Sequence, residues 1–148
     1  MTRRHALTAT AGVLLASTPG QAVAADAPAM KLLDDFAAAW NRHDVDGLMA
    51  CMTTNCVFDA SAGPDVAGAR HVGAAAVRSA YAAVFATYAD ARWHQPRHFV
   101  AGNRAVSEWT FTGTTAAGAK VEVNGCDLFT LEGGKIAVKN SYRKQRTA

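Results

Sequence analysis

The 148-residue sequence contains little cysteine, and its three cysteines, Cys51, Cys56 and Cys126, form no C-x-x-C pair. Zinc ribbons and thioredoxin-type redox sites are built on such a pair, so the spacing disfavours both. An odd number of cysteines also leaves at least one thiol unpaired. We therefore expect small buried thiols, with a Cys56–Cys126 disulfide as the alternative if the two strands lie side by side.

Long apolar runs and the common catalytic motifs are also missing. No stretch approaches the ~20 consecutive apolar residues of a membrane-spanning helix, so we expect no membrane partner. The H-E-x-x-H, G-x-S-x-G, P-loop and G-x-G-x-x-G patterns do not occur, which removes the common metalloprotease, hydrolase and nucleotide-binding classes. We therefore expect a site that uses neither a metal nor a cofactor.

Charged residues are sparse, at 18% of the chain against 50% hydrophobic residues, a composition typical of one globular domain. The formal net charge of +3 falls to +1 if Arg3 and Arg4 are removed with an N-terminal segment. The basic stretch K-N-S-Y-R-K-Q-R at 139–146 is typical of a solvated terminal strand. We therefore expect no nucleic-acid partner.

The first 25 residues contain the three parts of a bacterial export signal. Arg3 and Arg4 lie near the start, a weakly apolar A-G-V-L-L-A segment follows, and V-A-A precedes Asp26. These parts define a secretory signal, and T-R-R is typical of the twin-arginine class. We expect a signal at 1–25, one domain at 26–148 and a periplasmic or secreted location, with a disordered N-terminal tail as the alternative.

Apolar residues recur at helical spacing in three segments of the first half of the chain. Pro28 suits the first turn of a helix that stops at Asn41. Asp44 suits the N-cap of a short helix over Val45–Met52. A third, alanine-rich helix is predicted over 74–88, where alanine raises the helix propensity.

Alternating β-branched and aromatic residues dominate the second half of the chain. The predicted strands, two of them short and placed before the third helix, are Cys56–Ala60, 67–71, Arg92–Val100, Arg104–Thr115, Lys120–Leu131 and Lys135–Arg143. Turns that contain glycine separate the last four strands at hairpin-like intervals. Three helices followed by an antiparallel meander predict an α+β domain.

Four segments carry a family resemblance: F-A-A-A-W-N-R-H-D-V-D-G-L-M at Phe36–Met49, then Gly73–Tyr81, Glu108–Thr114 and Asn124–Ile136. Together they resemble the nuclear transport factor 2-like superfamily, which includes the SnoaL-like polyketide cyclases and the ketosteroid isomerases. The resemblance implies a cone-shaped roll, in which three helices pack on a curved, mostly antiparallel sheet that encloses a pocket. It also implies a homodimer formed through the outer face of the sheet.

The resemblance assigns a functional role to Asp127 but leaves two functional residues of the ketosteroid isomerases without a match. Asp127 matches the acid–base aspartate of the SnoaL-like cyclases and the oxyanion-hole aspartate of the ketosteroid isomerases. The isomerase tyrosine of the first helix falls on Phe36, and the general-base aspartate falls on or beside Ala60. Asp59 is displaced by one residue, which reverses the face on a strand. Steroid isomerisation is therefore not expected.

The alternation of the same strand supports a pocket position for Asp127. Asp127 shares one strand face with Val123, Gly125 and Phe129, so its carboxyl group would lie in an apolar lining. Such surroundings suit a carboxyl group that donates or shuttles a proton. The alternatives are a surface carboxylate or an ion pair with a neighbouring strand.

Two further side chains are candidate catalytic partners of Asp127. His94 and His98 lie four residues apart, but Pro96 excludes a helix between them, so we favour His94 alone as a base or hydrogen-bond donor over a metal site. Asp59 either faces the pocket or bonds the turn at Gly63.

The expected pocket lining is aromatic. Its members are Phe36, Trp40, Tyr81, Trp109, Phe111, Phe129 and Tyr142. Dimer packing is the alternative for Trp109 and Phe111. Tyr142 and Lys139 stand three residues apart on the last strand, so at most one of the two faces inward.

Two classes of function follow from these observations. In the first, an exported enzyme binds a small, largely apolar or aromatic molecule and carries out cofactor-independent acid–base chemistry of the isomerase, cyclase or dehydratase type. Asp127 handles the proton, with His94 or Asp59 as its partner. In the second, the same fold is a non-catalytic ligand-binding or dimerisation module.

Overall fold

A computed structural model describes residues 19–146, with side chains from Asp26 onward. The predicted signal segment, 1–25, lies outside the residues with described side chains. The helices are α1 (Pro19–Asn41), α2 (Val45–Ala50) and α3 (Ala74–Thr87). The strands are β1 (Met52–Asp59), β2 (Arg70–Val72), β3 (Arg92–Ala101), β4 (Arg104–Thr114), β5 (Lys120–Glu132) and β6 (Lys135–Arg143). Within the described range, no helix combines the length and apolar character needed to cross a membrane.

The six strands form one curved, unclosed sheet in the order β2-β1-β6-β5-β4-β3. All neighbours are antiparallel except β1 and β6, which are parallel. Three consecutive hairpins connect β3 to β4, β4 to β5 and β5 to β6. Their turns contain Gly102, Gly118 and Gly133, which adopt positive φ angles. The prediction of an α+β fold with three helices and a mostly antiparallel sheet is confirmed.

The two N-terminal helices differ from prediction mainly at their ends. α1 starts at Pro19, so Pro28 lies inside the helix and not in its first turn. Asp44 caps α2 as predicted, because its carboxylate accepts a hydrogen bond of 2.8 Å from the Gly47 amide. α2 stops at Ala50, two residues before the predicted end, since Met52 already belongs to β1.

β1 is longer than predicted. The Thr53-Thr54-Asn55 segment separates the predicted second helix, which ends at Met52, from the strand predicted to start at Cys56, yet it lies within β1. β1 pairs with β2 at 57–59, and it pairs with β6 at Met52 and again at 57–59, so the polar segment lies between the two paired stretches. A register shift between Met52 and Val57 accommodates the extra residues as an irregularity in the ladder.

The helices cover only one side of the sheet. We call this side the inner face; its central positions are Ala105, Trp109, Phe111 and Phe129. The opposite side is the outer face. The core lies between the inner face and the helices, where Phe36 of α1 makes edge-to-face contacts with three aromatic rings, those of Trp40, Tyr81 and Phe129.

All three cysteines are free thiols, as expected. Cys56 is buried in the core, and Cys51 and Cys126 are partly buried. Because β6 separates β1 from β5, Cys56 and Cys126 do not lie on adjacent strands, and the alternative disulfide is not formed.

Candidate functional site

A cavity of about 300 Å³ opens between the inner face and α3. Its walls are largely aromatic and include Trp40, Phe58, Trp93, Trp109 and Phe111. Its polar lining includes Lys139, Ser141 and Arg143 of β6, together with His71 of β2. An apolar cavity of this volume with a few convergent polar groups has the character of a small-molecule site.

Asp127 lies beside this cavity, at the centre of a buried hydrogen-bond network. Its Oδ1 accepts a hydrogen bond of 2.7 Å from Lys139 Nζ and one of 2.6 Å from Ser141 Oγ. Its Oδ2 accepts a hydrogen bond of 2.9 Å from the Trp109 indole. Both carboxylate oxygens are therefore occupied by protein donors.

Lys139 connects the network to the cavity. Its side chain is 6% exposed and that of Asp127 is 7% exposed, so the two form a buried ion pair. The ammonium group also donates to Ser141 and lies 4.8 Å from the ring centroid of Phe58 and 5.5 Å from that of Trp40. Two of its three N–H groups are thus bonded to protein, while the aromatic walls stabilise the charge.

Gly125 allows Trp109 to take part in the network. The two residues are directly paired across β4 and β5, and both point to the inner face. A Cβ atom on Gly125 would lie 2.3 Å from the Trp109 indole and 2.5 Å from the Tyr142 carbonyl oxygen. The missing side chain leaves room for the indole to lie across β5 and reach Asp127, two residues farther along.

Asp59 does not join Asp127. It alternates with Phe58, whose ring faces the cavity, and therefore lies on the opposite side of β1. There its carboxylate forms a two-point ion pair with Arg70 of β2, at 2.7 and 3.0 Å. The sequence predicted that Asp59 either faces the pocket or bonds the turn at Gly63. Both predictions are wrong, because Arg70 on the paired strand β2 binds the carboxylate.

His94 is also placed away from Asp127. It is exposed on the outer face, where its ring bonds the Thr112 hydroxyl at 2.8 Å. The cause is a bulge between His94 and Arg97, with Gln95 at a φ of 50°. The extra residue reverses the alternation of β3, so His98 and not His94 faces inward.

His98 extends a polar row that crosses the inner face. Ser107, Asp127 and Ser141 occupy paired positions on β4, β5 and β6, and His98 pairs with Ser107 on β3. His98 Nδ1 lies 2.6 Å from Ser107 Oγ, and Nε2 lies 3.3 Å from an Asp34 carboxylate oxygen without a well-formed hydrogen bond. Burial lowers the pKa of His98, and the nearby Asp34 carboxylate offsets this only in part.

The lowered pKa of His98 predicts a pH-dependent stability. The unfolded chain takes up a proton near pH 6.5 and the folded chain only at lower pH, so the stabilisation is complete above 6.5 and is lost as the pH falls below it. Urea unfolding between pH 7.5 and 5.5 should show a smaller loss for His98→Gln than for the wild type. Equal losses would contradict a buried neutral His98.

The seven aromatic residues expected in the pocket fall into three groups. Trp40, Trp109 and Phe111 line the cavity as predicted. Phe36, Tyr81 and Phe129 are almost fully buried in the core beneath it. Tyr142 lies on the outer face with half of its surface exposed, because it alternates with the inward-facing Ser141.

The sequence reasoning missed most of the polar residues of the cavity. Three of them alternate along β6 and therefore point to the same face of the sheet: Lys139, Ser141 and Arg143. The sequence reasoning considered only Lys139, as the alternative to Tyr142. Because residues two apart on a strand point to the same face, an inward position for any one of the three would have predicted the other two. Trp93 also lines the cavity, and its aromatic character on an alternating strand was the available signal.

A second, larger concavity of about 630 Å³ includes Tyr142, Thr110, Asn124 and Cys126. These side chains lie on the outer face, away from the buried network. We place the candidate site in the smaller inner cavity because its polar groups converge. From Asp26 to Arg146, no three His, Cys, Asp or Glu side chains are grouped closely enough to hold a metal ion.

Solved structures with the same fold include proteins named for small-molecule chemistry. A protein named as a polyketide cyclase from Xanthomonas campestris is 22% identical, with a TM-score of 0.70 over 78% of this chain and 90% of the other. TerC, co-crystallised with polyporic acid, is 19% identical, with a TM-score of 0.67 over 79% of this chain and 92% of its own.

A third similar structure is a protein with a ketosteroid isomerase-like fold from Catenulispora acidiphila, in complex with trimethylamine. It is 18% identical, with a TM-score of 0.67 over 75% of this chain and 83% of the other. Comparison with the curated proteins gives no significant match. Residues 33–139 match the family model of the SnoaL-like domain. Because that match spans more than half of the sequence, the chain belongs to the SnoaL-like domain family.

Proposed function

We propose that the protein binds a small, largely apolar or aromatic molecule in the inner cavity, and that the Asp127–Lys139 pair moves a proton on this molecule. The observation that carries the proposal is a buried ion pair next to an aromatic cavity of about 300 Å³. Moving two charges out of water is costly, and a hydrophobic pair of similar volume often stabilises a fold equally well. Buried charges at a cavity therefore favour a functional role.

The geometry supports proton transfer through Lys139. Lys139 reaches the cavity and Asp127 does not, so the ammonium group is the donor that a bound carbonyl or hydroxyl oxygen would meet. Asp127 and Ser141 hold this group in place through hydrogen bonds of 2.7 Å to its nitrogen and 2.6 Å between themselves. Isomerisation, cyclisation and dehydration are reactions that such a positioned acid can catalyse without a cofactor.

The related structures support the binding part of the proposal. TerC was crystallised with polyporic acid and the Catenulispora acidiphila protein with trimethylamine. Both are small organic molecules held by proteins of the same fold.

Native mass spectrometry of protein purified without denaturation tests the proposal. We expect a bound small molecule that is lost in Ala83→Phe, because Ala83 lines the cavity from α3 and a phenyl group would fill it. Ala101→Phe, at the exposed end of β3, is the matched control and should retain the molecule. Retention of the molecule by Ala83→Phe would contradict binding in this cavity.

A non-catalytic binding protein is the second candidate. The hydrogen bonds of Asp127 favour this candidate. Three protein donors occupy its two carboxylate oxygens, so neither oxygen is free to accept a proton from a ligand. Once the molecule is identified, its incubation with the protein separates the two functions: chemical conversion supports the enzyme, and release without change supports the binder.

We also propose that the protein forms a homodimer through the outer face. Apolar side chains occupy paired positions there, and the two sets are Phe99, Val106 and Leu128 on β3 to β5, and Val57, Val72 and Val138 on β1, β2 and β6. Phe99 is 55% and Val72 is 64% exposed. A sheet face in contact with water would carry polar residues at these positions.

The dimer predicts a specific change in mass. Light scattering at micromolar concentration should give twice the monomer mass for the wild type and the monomer mass for Leu128→Lys, because a charge at the centre of an apolar interface is not solvated. Val66→Lys is the matched control, since Val66 is fully exposed in the loop between β1 and β2. A monomeric wild type would contradict the proposal.

We propose that the protein is exported through the twin-arginine route and that residues 1–25 are its signal. Arg3, Arg4 and the V-A-A segment before Asp26 support it. Cleavage after Ala25 would also place Pro28 in the first turn of a shortened α1, where no intrahelical partner for its nitrogen is needed.

Expression in a bacterium with a twin-arginine system tests this route. Intact mass of periplasmic protein should show a start near Asp26, and the Arg3→Lys, Arg4→Lys double variant should remain uncleaved in the cytoplasm. Lys31→Arg serves as a control for a conservative change outside the signal. Full-length wild-type protein in the cytoplasm would contradict export.

A further inference from the structure

We propose that the cavity selects molecules with an oxyanion on an aromatic ring, a carboxylate or a phenolate, and that Lys139 binds this oxyanion. The inference rests on the proposed function and specifies its ligand class. It departs from the sequence expectation that Asp127 is the group that meets the ligand.

The charges that line the cavity are all positive. Lys139 and Arg143 contribute to its surface, and no Asp or Glu side chain does so among the residues described there. Asp127 lies behind Lys139 and is shielded from the cavity by its three donors. A negative ligand group therefore meets two cations and no anion, which favours it over a neutral or cationic one.

The bonding of Lys139 leaves one N–H group for a ligand. The ammonium has three donors, and Asp127 and Ser141 use two of them. The third has no hydrogen-bond acceptor among the side chains described from Asp26 to Arg146, and it has the Phe58 and Trp40 rings nearby, at 4.8 and 5.5 Å. A ligand oxygen would replace this weaker contact with a charge-assisted hydrogen bond.

The walls identify the rest of the molecule as aromatic. The aromatic side chains that line the cavity include Trp40, Trp93, Trp109 and Phe111, and a small inorganic anion would leave them in contact with water. Flat rings fill a space between such walls with offset or edge-to-face contacts.

The positions of the two cations also limit the size of the ligand. Lys139 and Arg143 lie four residues apart on β6, which is roughly 13 Å along a strand. The Arg143 guanidinium is 5.4 Å from the Phe111 ring centroid at the exposed end of the cavity. A molecule of two fused rings fits within this span, with its oxyanion at Lys139 and its other end toward Arg143.

Isothermal titration with two matched probes tests the inference. The probes are 2-naphthoate and 2-naphthamide, which have the same rings and nearly the same shape but differ in charge. At pH 7.5 we expect the wild type to bind naphthoate at least tenfold more tightly than naphthamide. Lys120→Met, which removes an exposed lysine at the start of β5, is the control and should keep this preference.

Two variants of the buried pair then identify the cation. The double variant Asp127→Asn, Lys139→Met removes both charges and leaves no unpaired ion, so it should fold, as checked by circular dichroism, and lose the preference for naphthoate. Asp127→Asn alone leaves the ammonium without its counter-ion. It should bind naphthoate about tenfold more tightly than the wild type, since the ligand then supplies the missing negative charge.

The outcomes separate this inference from the proposed function. Equal affinity of the wild type for both probes would overturn the anion preference and leave the aromatic cavity in place. Absence of binding for both probes would contradict the cavity and the preference together. Weaker naphthoate binding by Asp127→Asn would show that the carboxylate helps the ligand to bind, and would overturn the assignment to Lys139.

Discussion

Lys139→Met is expected to lower the free energy of unfolding by about 3–5 kcal/mol, since it leaves a buried charge without its partner. The Asp127 carboxylate would keep its bonds to Ser141 and Trp109 but lose the ammonium at 2.7 Å. Because the carboxylate is 7% exposed, water cannot replace the lost charge without opening the core. Urea unfolding of the variant and the wild type at pH 7.5 measures the difference.

The double variant Asp127→Asn, Lys139→Met is the matched control for this experiment. It removes the unpaired charge and keeps side chains of similar volume, so most of the lost stability should return. Lys135→Met removes an exposed lysine at the start of the same strand and should change the stability little. A wild-type-like Lys139→Met variant would mean that water reaches Asp127, which would contradict the buried network.

The site could be predicted from the sequence only where the alternation of a strand shows which of its side chains face the core. Asp127 was placed on the inner face correctly because β5 alternates regularly from Val123 to Phe129. The same reasoning could not place Lys139, because the ladder between β5 and β6 has a register shift between Thr130 and Leu131. This irregularity puts Lys139 opposite Phe129 on the inner face, whereas an unbroken ladder from the turn would put Val138 there.

The bulge in β3 explains why the wrong histidine was expected inside. His94 and His98 would share a face on a regular strand, and Pro96 between them was a sign of an irregularity that the sequence reasoning used only to exclude a helix. The bulge depends on Gln95 at positive φ, next to Pro96, which cannot donate to the ladder. Such an irregularity moves a side chain across the sheet without changing where the strand begins and ends, and the bounds of β3 itself were predicted to within one residue.

The fold was more predictable than the site because it depends on many weak signals that agree. The helix at Ala74–Thr87 and the strands β3 to β6 were each indicated by a repeat over nine or more residues. The polar network depends instead on four side chains from three strands, each placed to within about one ångström. Sequence periodicity sets the face of such residues but not the contacts between them.

Gly125→Ala is expected to destabilise the fold by about 1–3 kcal/mol and to break the hydrogen bond between Trp109 and Asp127. The new methyl group would lie 2.3 Å from the indole and 2.5 Å from the Tyr142 carbonyl oxygen, so the ring must move. The cost is steric, because Gly125 is not among the glycines with positive φ. Urea unfolding measures the stability, and the indole N–H resonance of Trp109, assigned with Trp109→Phe, reports the hydrogen bond.

Gly102→Ala separates this steric effect from the general cost of replacing a glycine. Gly102 has a φ of 61° and no atom within 4 Å of an added Cβ, so its replacement costs about 1–2 kcal/mol through the backbone alone. Both variants therefore lose stability, but only Gly125→Ala should shift the Trp109 indole resonance, since only that methyl group displaces the ring. An unshifted resonance in Gly125→Ala would mean that the indole reaches Asp127 without the space that Gly125 provides.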